Sequence, residues 1–209
     1  MIAALYVQRG GCYFGLPDVD PWDEERDART YAGPWPVVAH PPCERWGRYA
    51  TGAPMFPGRF RVGDDAGCFA AALAAVRRYG GVLEHPEASA AWDEFGLLPP
   101  PRGGGWIAAD WVHGSRGWTC CVEQGAYGHL ARKATWLYAH GVGDPPPLAW
   151  GRANGDFLRL DAGFHSAAER QRAVKTGVCQ QLSKRQRAAT PLAFRDLLIS
   201  IAMRCVGDD

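Results

Sequence analysis

Residues 36–43 read Pro-Val-Val-Ala-His-Pro-Pro-Cys, and residues 80–86 read Gly-Gly-Val-Leu-Glu-His-Pro. Each is a short apolar run, bounded by turn formers, that stops on residue types able to do chemistry. Runs of this length and composition read as buried strands. The stretch between them has helical spacing. Asp64 or Asp65 is placed to cap it, Phe69, Leu73 and Val76 share one stripe, and Gly80-Gly81 ends it after Tyr79. Strand, helix and strand in this order form a βαβ unit, and such units build parallel sheets. The expected fold is α/β: a small Rossmann-like domain with a mostly parallel sheet and long loops. Ligands of open parallel sheets lie beyond the carboxyl ends of the strands, so Cys43 and Glu84 are expected to face one crevice.

Outside this unit, Ala3 to Val7 is a further strand candidate, broken by Gly10-Gly11, and an acidic loop follows it. Trp118 to Glu123 and Thr135 to Ala139 read as two more strands flanking the loop Gln124 to His129. A last helix is expected over Leu192 to Cys205. Residues 50–63, 96–117 and 141–163 are loop-rich, with proline triplets at 99–101 and 145–147 that resist helix. The organisation expected is a catalytic domain over 1–163, with a basic helical segment over 164–209 packed on it.

The chain has 209 residues, 47% hydrophobic and 22% charged, which suits one domain with a real core. Net charge is +1, so no overall bias draws the molecule to nucleic acid or membrane. The distribution is uneven, however. Six acids fall between Asp18 and Asp27, while residues 165–205 carry eight Lys or Arg against two acids. The seven cysteines form no CxxC pair, and no run approaches a membrane span; free thiols in a reducing cytoplasm, away from membranes, are the expectation.

Two prolines ahead of Cys43 restrict the backbone and aim the thiol. Attack needs a thiolate, which Arg45, Arg48 or His40 are near enough in sequence to favour. Glu84, one strand over, suits a heterocycle's ring N–H. His40 and His85 flank the proposed site as proton shuttles, as zinc ligands with Cys43, or as packing residues; all three readings stay open. The His-x-Glu and Pro-Cys-x-x-Cys pattern of a zinc deaminase is absent. Asp110 reads equally as a site residue or a turn former. Lys184, Arg185 and Arg187, in the run Ser183 to Arg187, are the best candidates for DNA phosphates, since phosphate neutralisation dominates DNA affinity.

These motifs, in this order, resemble the DNA cytosine-5 methyltransferases, above all shortened phage-borne members. Pro41-Pro42-Cys43 matches their nucleophile motif, and Glu84-His85-Pro86 resembles their Glu-Asn-Val or Glu-Asn-Pro strand end. Tyr127-Gly128 and Lys133-Ala134-Thr135 are similar to a Tyr-Gly loop and a Lys-x-Thr motif of the phage relatives. Tyr6 to Gly11 faintly echoes the glycine-rich S-adenosylmethionine loop. The resemblance implies a methyltransferase-like domain in which Cys43 adds to C6 of a pyrimidine and Glu84 steadies the ring. Pro41, Pro42, Arg45, Tyr127 and Lys133 would line the substrate site.

The chain also departs from that pattern. About thirty residues separate Gly11 from Cys43, too few for the usual second and third strand–helix units and the acid that meets the cofactor ribose. The expectation is therefore no cofactor, with a smaller space suited to an amino acid or small amine. The activity expected is replacement of a leaving group on a 5-substituted pyrimidine, a phosphorylated hydroxymethyl base, in phage DNA hypermodification. The alternatives are a minimal S-adenosylmethionine-dependent cytosine-5 methyltransferase and a non-catalytic DNA-binding relative.

Overall fold

The computed structural model describes residues 1–47, 49–52, 58–109, 117–160, 166–176 and 182–205. One seven-stranded sheet organises the chain, in the order β2-β1-β3-β4-β7-β6-β5. The strands are β1 (Ile2–Leu5), β2 (Val19–Trp22), β3 (Val37–Ala39), β4 (Gly81–Pro86), β5 (Ile107–Ala108), β6 (Gly117–Glu123) and β7 (Ala134–His140). The fold is α/β, as expected, but the sheet is mixed. From β2 through β4 it is parallel, and from β4 through β5 every pairing is antiparallel. β7 enters as an antiparallel strand because the turn at Gln124–Tyr127 sends the chain straight back from β6.

Helix α1 (Cys68–Tyr79) links β3 to β4 and buries Phe69, Ala72, Leu73 and Val76, an i, i+3, i+4, i+7 stripe. Asp65 precedes it and accepts from the Phe69 backbone N–H at 2.8 Å, so it caps from three residues before the first helical residue. On this face α1 covers Ala3, Leu5, Val37, Ala39 and Leu83. The short helix α2 (Ala91–Glu94) adds the fully buried Trp92 to the same layer. The opposite face carries Ile2, Ala4, Val38, Val82 and Leu137 beneath α5 (Leu192–Ala202), through Phe194, Leu198 and Ile201. Each of the Val, Leu, Ile and Phe side chains contributes about 1.5–3 kcal/mol on burial. α3 (Ala167–Thr176) and α4 (Lys184–Ala188) bury no residue.

Two expectations need correction. The stretch read as an acidic loop contains β2, paired in parallel with β1 from Ile2↔Val19 to Leu5↔Trp22. Pro21 hid it, because proline argues against a strand; at a sheet edge the missing N–H has no ladder partner to deprive. The last helix is shorter than expected, stopping at Ala202. The boundary expected after residue 163 falls among residues 161–165, outside the described residues, as do Arg48 and Asp110. Among the described residues no helix is long and apolar enough to cross a membrane, and six cysteines are unpaired.

Candidate functional site

Polar side chains gather where β1, β3, β4 and β6 end and β7 begins. A strand alternates its faces, so Val38, His40, Val82, Glu84, Val122 and Gln124 all belong to the α5 side of the sheet. The apolar members enter the core, and the last polar member of each strand stands at its rim.

Glu84 is the centre of a hydrogen-bonded chain. His40 Nδ1 lies 3.1 Å from Glu84 Oε2, and His40 Nε2 lies 2.9 Å from the Tyr13 hydroxyl. From the other side the Gln124 amide donates to Glu84 Oε1 at 2.9 Å and to Thr135 Oγ1 at 3.0 Å. The His40 and Glu84 side chains are only 11% and 12% exposed. Burial disfavours the Glu84 charge and is the largest single influence. The His40 hydrogen bond, with the Lys133 charge next, outweighs it and holds the pKa down to about 2. Glu84 is a carboxylate throughout the neutral range.

Cys43 reaches the same place by a rigid route. Pro41 is buried and Pro42 exposed, and the Cys43 carbonyl accepts from the backbone N–H groups of Trp46 and Gly47 at 3.1 and 3.2 Å. Trp46 anchors this turn: its indole N–H donates to Asp65 at 2.8 Å and its ring packs on Phe69 and Phe95. Cys43 keeps access to solvent. The protein around its sulfur nevertheless desolvates the thiolate and, together with the Glu84 charge, pushes the pKa above the ordinary 9.0, while Lys133 pulls it back. At neutral pH Cys43 therefore rests as a thiol. Iodoacetamide labelling of Cys43, followed by peptide mass spectrometry, should be slow at pH 7 and still rising past pH 9. Lys133→Met should slow it further, because the charge that favours the thiolate is gone. A plateau below pH 7 would contradict these electrostatics.

The structure brings together Cys43, Glu84, His40 and Lys133, but not every residue expected there. His85 points to the other face of the sheet. It is 1% exposed, bonds Ser89 Oγ at 2.7 Å and lies against Phe69 and Trp92. Burial lowers its pKa to about 4, against the opposing pull of Glu84 and the Pro42 backbone, so it is neutral at pH 7. Adjacent residues on a strand cannot both face one site. Arg45 stacks on Phe60 at 3.7 Å, and its role beside the thiolate passes to Lys133. Tyr127 packs on Phe194 and accepts from the Ala149 N–H at 2.9 Å, which turns it toward α5. Lys184, Arg185 and Arg187 form α4, capped by Ser183, and Lys184 Nζ lies 3.7 Å from Glu44, the neighbour of Cys43.

Three members of the network were not foreseen: Gln124, Tyr13 and Thr135. Gln124 carried a readable signal, since it is the polar residue at another strand end. Thr135 lay in a noted motif without an assigned role, and Tyr13 carried none.

A cleft of about 460 Å3 opens beside the site, lined by Tyr6, Asp23, Glu24, Asp27, Pro42 and Cys68 among others. Its acids follow β2, and Arg29 is already paired with Asp27 at 2.7 Å. Arg9, at the β1 end, pairs with Glu25. Among the described residues no group of three or more His, Cys, Asp or Glu is placed to hold a metal ion.

No protein family, curated protein or solved structure matches the chain. What the fold and site define is an α/β protein with a mixed seven-stranded sheet and a polar crevice at the strand ends.

Proposed function

We propose that the protein is a transferase that builds on C5 of a pyrimidine in DNA, with Cys43 as the nucleophile at C6. One observation carries this reading: Cys43 follows β3, Glu84 lies near the end of β4, the parallel strand beside it, and the Glu84 charge acts on the Cys43 thiol. The finer fold reading goes with it, a Rossmann-like sheet of the methyltransferase kind in which the stretch before Cys43 keeps one strand unit of two.

The solvent-exposed Cys43 thiol loses its proton to water, and the thiolate pair forms the S–C6 bond while the C5=C6 pair moves through C5 to the C4 substituent. That pair returns and expels a phosphate from the C5 methylene with its bonding electrons, leaving an exocyclic C=C. The lone pair of a primary amine or amino acid adds to the methylene, the C4 substituent takes the pair back, and the amine loses a proton. Collapse restores C5=C6 and releases the thiolate. Glu84 holds the ring edge and His40 holds Glu84. The base must leave the duplex to reach a crevice, and Lys184, Arg185 and Arg187, beside the Cys43 loop, supply phosphate contacts.

A second reading is favoured by the cleft. Its 460 Å3 and the acids after β2 suit a nucleoside-sized ligand such as S-adenosylmethionine better than the short stretch before Cys43 led us to expect. Nucleoside mass spectrometry separates the two. DNA carrying a phosphorylated 5-hydroxymethyl pyrimidine, incubated with protein and mixed amino acids and amines, is expected to yield an aminated nucleoside without S-adenosylmethionine. Methylation of unmodified cytosine on adding that donor would replace the first reading by the second.

A further inference from the structure

The hydrogen bonds around Glu84 run in one direction, and that direction selects a base. The Thr135 hydroxyl donates its single hydrogen to the Lys133 carbonyl at 3.0 Å. Its contact with Gln124 must then be an N–H from the amide, so the same amide nitrogen points its other hydrogen at Glu84 Oε1. On the far side the buried Tyr13 phenol keeps its proton, since burial raises its pKa well above the usual range. Glu84 is a carboxylate and only accepts, so His40 Nδ1 carries a hydrogen that points at Oε2, while Nε2 meets the Tyr13 hydroxyl. Both carboxylate oxygens receive hydrogens, and neither has one to give. Lys133 makes no side-chain hydrogen bond or ion pair among the described residues, and its charge acts on both Cys43 and Glu84.

Resting on the covalent reading above, we propose that the base taken between Cys43 and Glu84 is a uracil-type ring, with N3–H and a C4 carbonyl, and not cytosine. A uracil-type ring offers N3–H to an acceptor, which Glu84 is. When sulfur adds at C6, the displaced pair comes to rest on O4 as an enolate, and the Lys133 ammonium is the cation that meets it. Cytosine reverses the edge, because its N3 is an acceptor. Its amino group can donate to Glu84, but addition at C6 then needs a proton delivered to N3. A carboxylate already filled by two N–H donors, with a pKa of about 2, is no acid at neutral pH. Addition to cytosine stalls for want of that proton, whereas addition to a uracil-type ring needs none.

The test uses the full chain and needs neither donor nor leaving group. Addition at C6 of a base with hydrogen at C5 makes that hydrogen exchangeable with water. Oligonucleotides carrying one 5-tritiated 2′-deoxyuridine or one 5-tritiated 2′-deoxycytidine are incubated with the protein, and tritium release is counted. Release from the uracil site at least tenfold faster, abolished by Cys43→Ser, is the expected result. Glu84→Gln should narrow that ratio, because its amide offers an N–H to cytosine N3. Faster release from cytosine would overturn the base assignment and leave the Cys43 adduct standing. Release from neither would overturn the adduct and the assignment together.

Discussion

Cys43→Ser should abolish product formation while leaving DNA affinity within about twofold of wild type. The sulfur matters only when the adduct forms, so a loss confined to turnover is the signature of a covalent step. A serine hydroxyl loses its proton far less readily, and among the described residues His40, the nearby imidazole, has both ring nitrogens engaged, by Tyr13 and Glu84. Turnover should fall below about a hundredth of wild type, more than about 2.7 kcal/mol in the barrier. Replacing Lys184, Arg185 and Arg187 together should do the opposite, weakening DNA binding and flattening its salt dependence with less effect on bound-state turnover. Fluorescence anisotropy across a salt series, beside single-turnover product assays, reads both. A Cys43→Ser protein that keeps more than a hundredth of its turnover would make Cys43 a positioning residue.

The βαβ core was readable because one signal dominated each of its parts. Val37 to Ala39 and Gly81 to Leu83 are uninterrupted apolar runs, and the stripe of Phe69, Leu73 and Val76 fits only a helix. β2 was not readable, because Val-Asp-Pro-Trp neither alternates nor stays apolar, and an edge strand can afford both faults. The reversal of β7 was equally hidden: strand composition does not reveal direction, which the connecting turn decides.

The site divides along the same line. Cys43 and Glu84 were legible as strand ends, where chain order alone brings them to one rim. His40 was legible too, although its partners were not. Tyr13 lies 27 residues from His40, and Gln124 lies 40 from Glu84, so only the closed sheet makes them neighbours. His85 misled for a local reason. It adjoins Glu84 in the sequence, and that adjacency is what turns it to the opposite face.

Gly81→Ala should strongly destabilise the protein, and it tests the geometry without any chemistry. A Cβ at Gly81 would sit 1.9 Å from the Val37 carbonyl oxygen and 2.6 Å from the Val37 nitrogen, both backbone atoms of the facing strand. Residue 81 also holds φ at +128°, a conformation side chains resist. Val37 cannot retreat, because its N–H is bonded to the Gly80 carbonyl at 2.9 Å and β3 has only three residues in register with β4. Losing the first of them loosens the joint that carries Cys43 on one strand and Glu84 on the next. The cost should reach about 3 kcal/mol, lowering the thermal midpoint by about 6–12 °C in a domain of this size. Gly10→Ala is the control: φ is +62°, but nothing lies within 4 Å of its Cβ, so only the backbone penalty of about 1–2 kcal/mol remains. Circular dichroism melts of the two variants beside wild type read the difference. If Gly81→Ala melts with the control, β3 and β4 do not pair in this register, and Cys43 and Glu84 lose the adjacency on which the covalent reading depends.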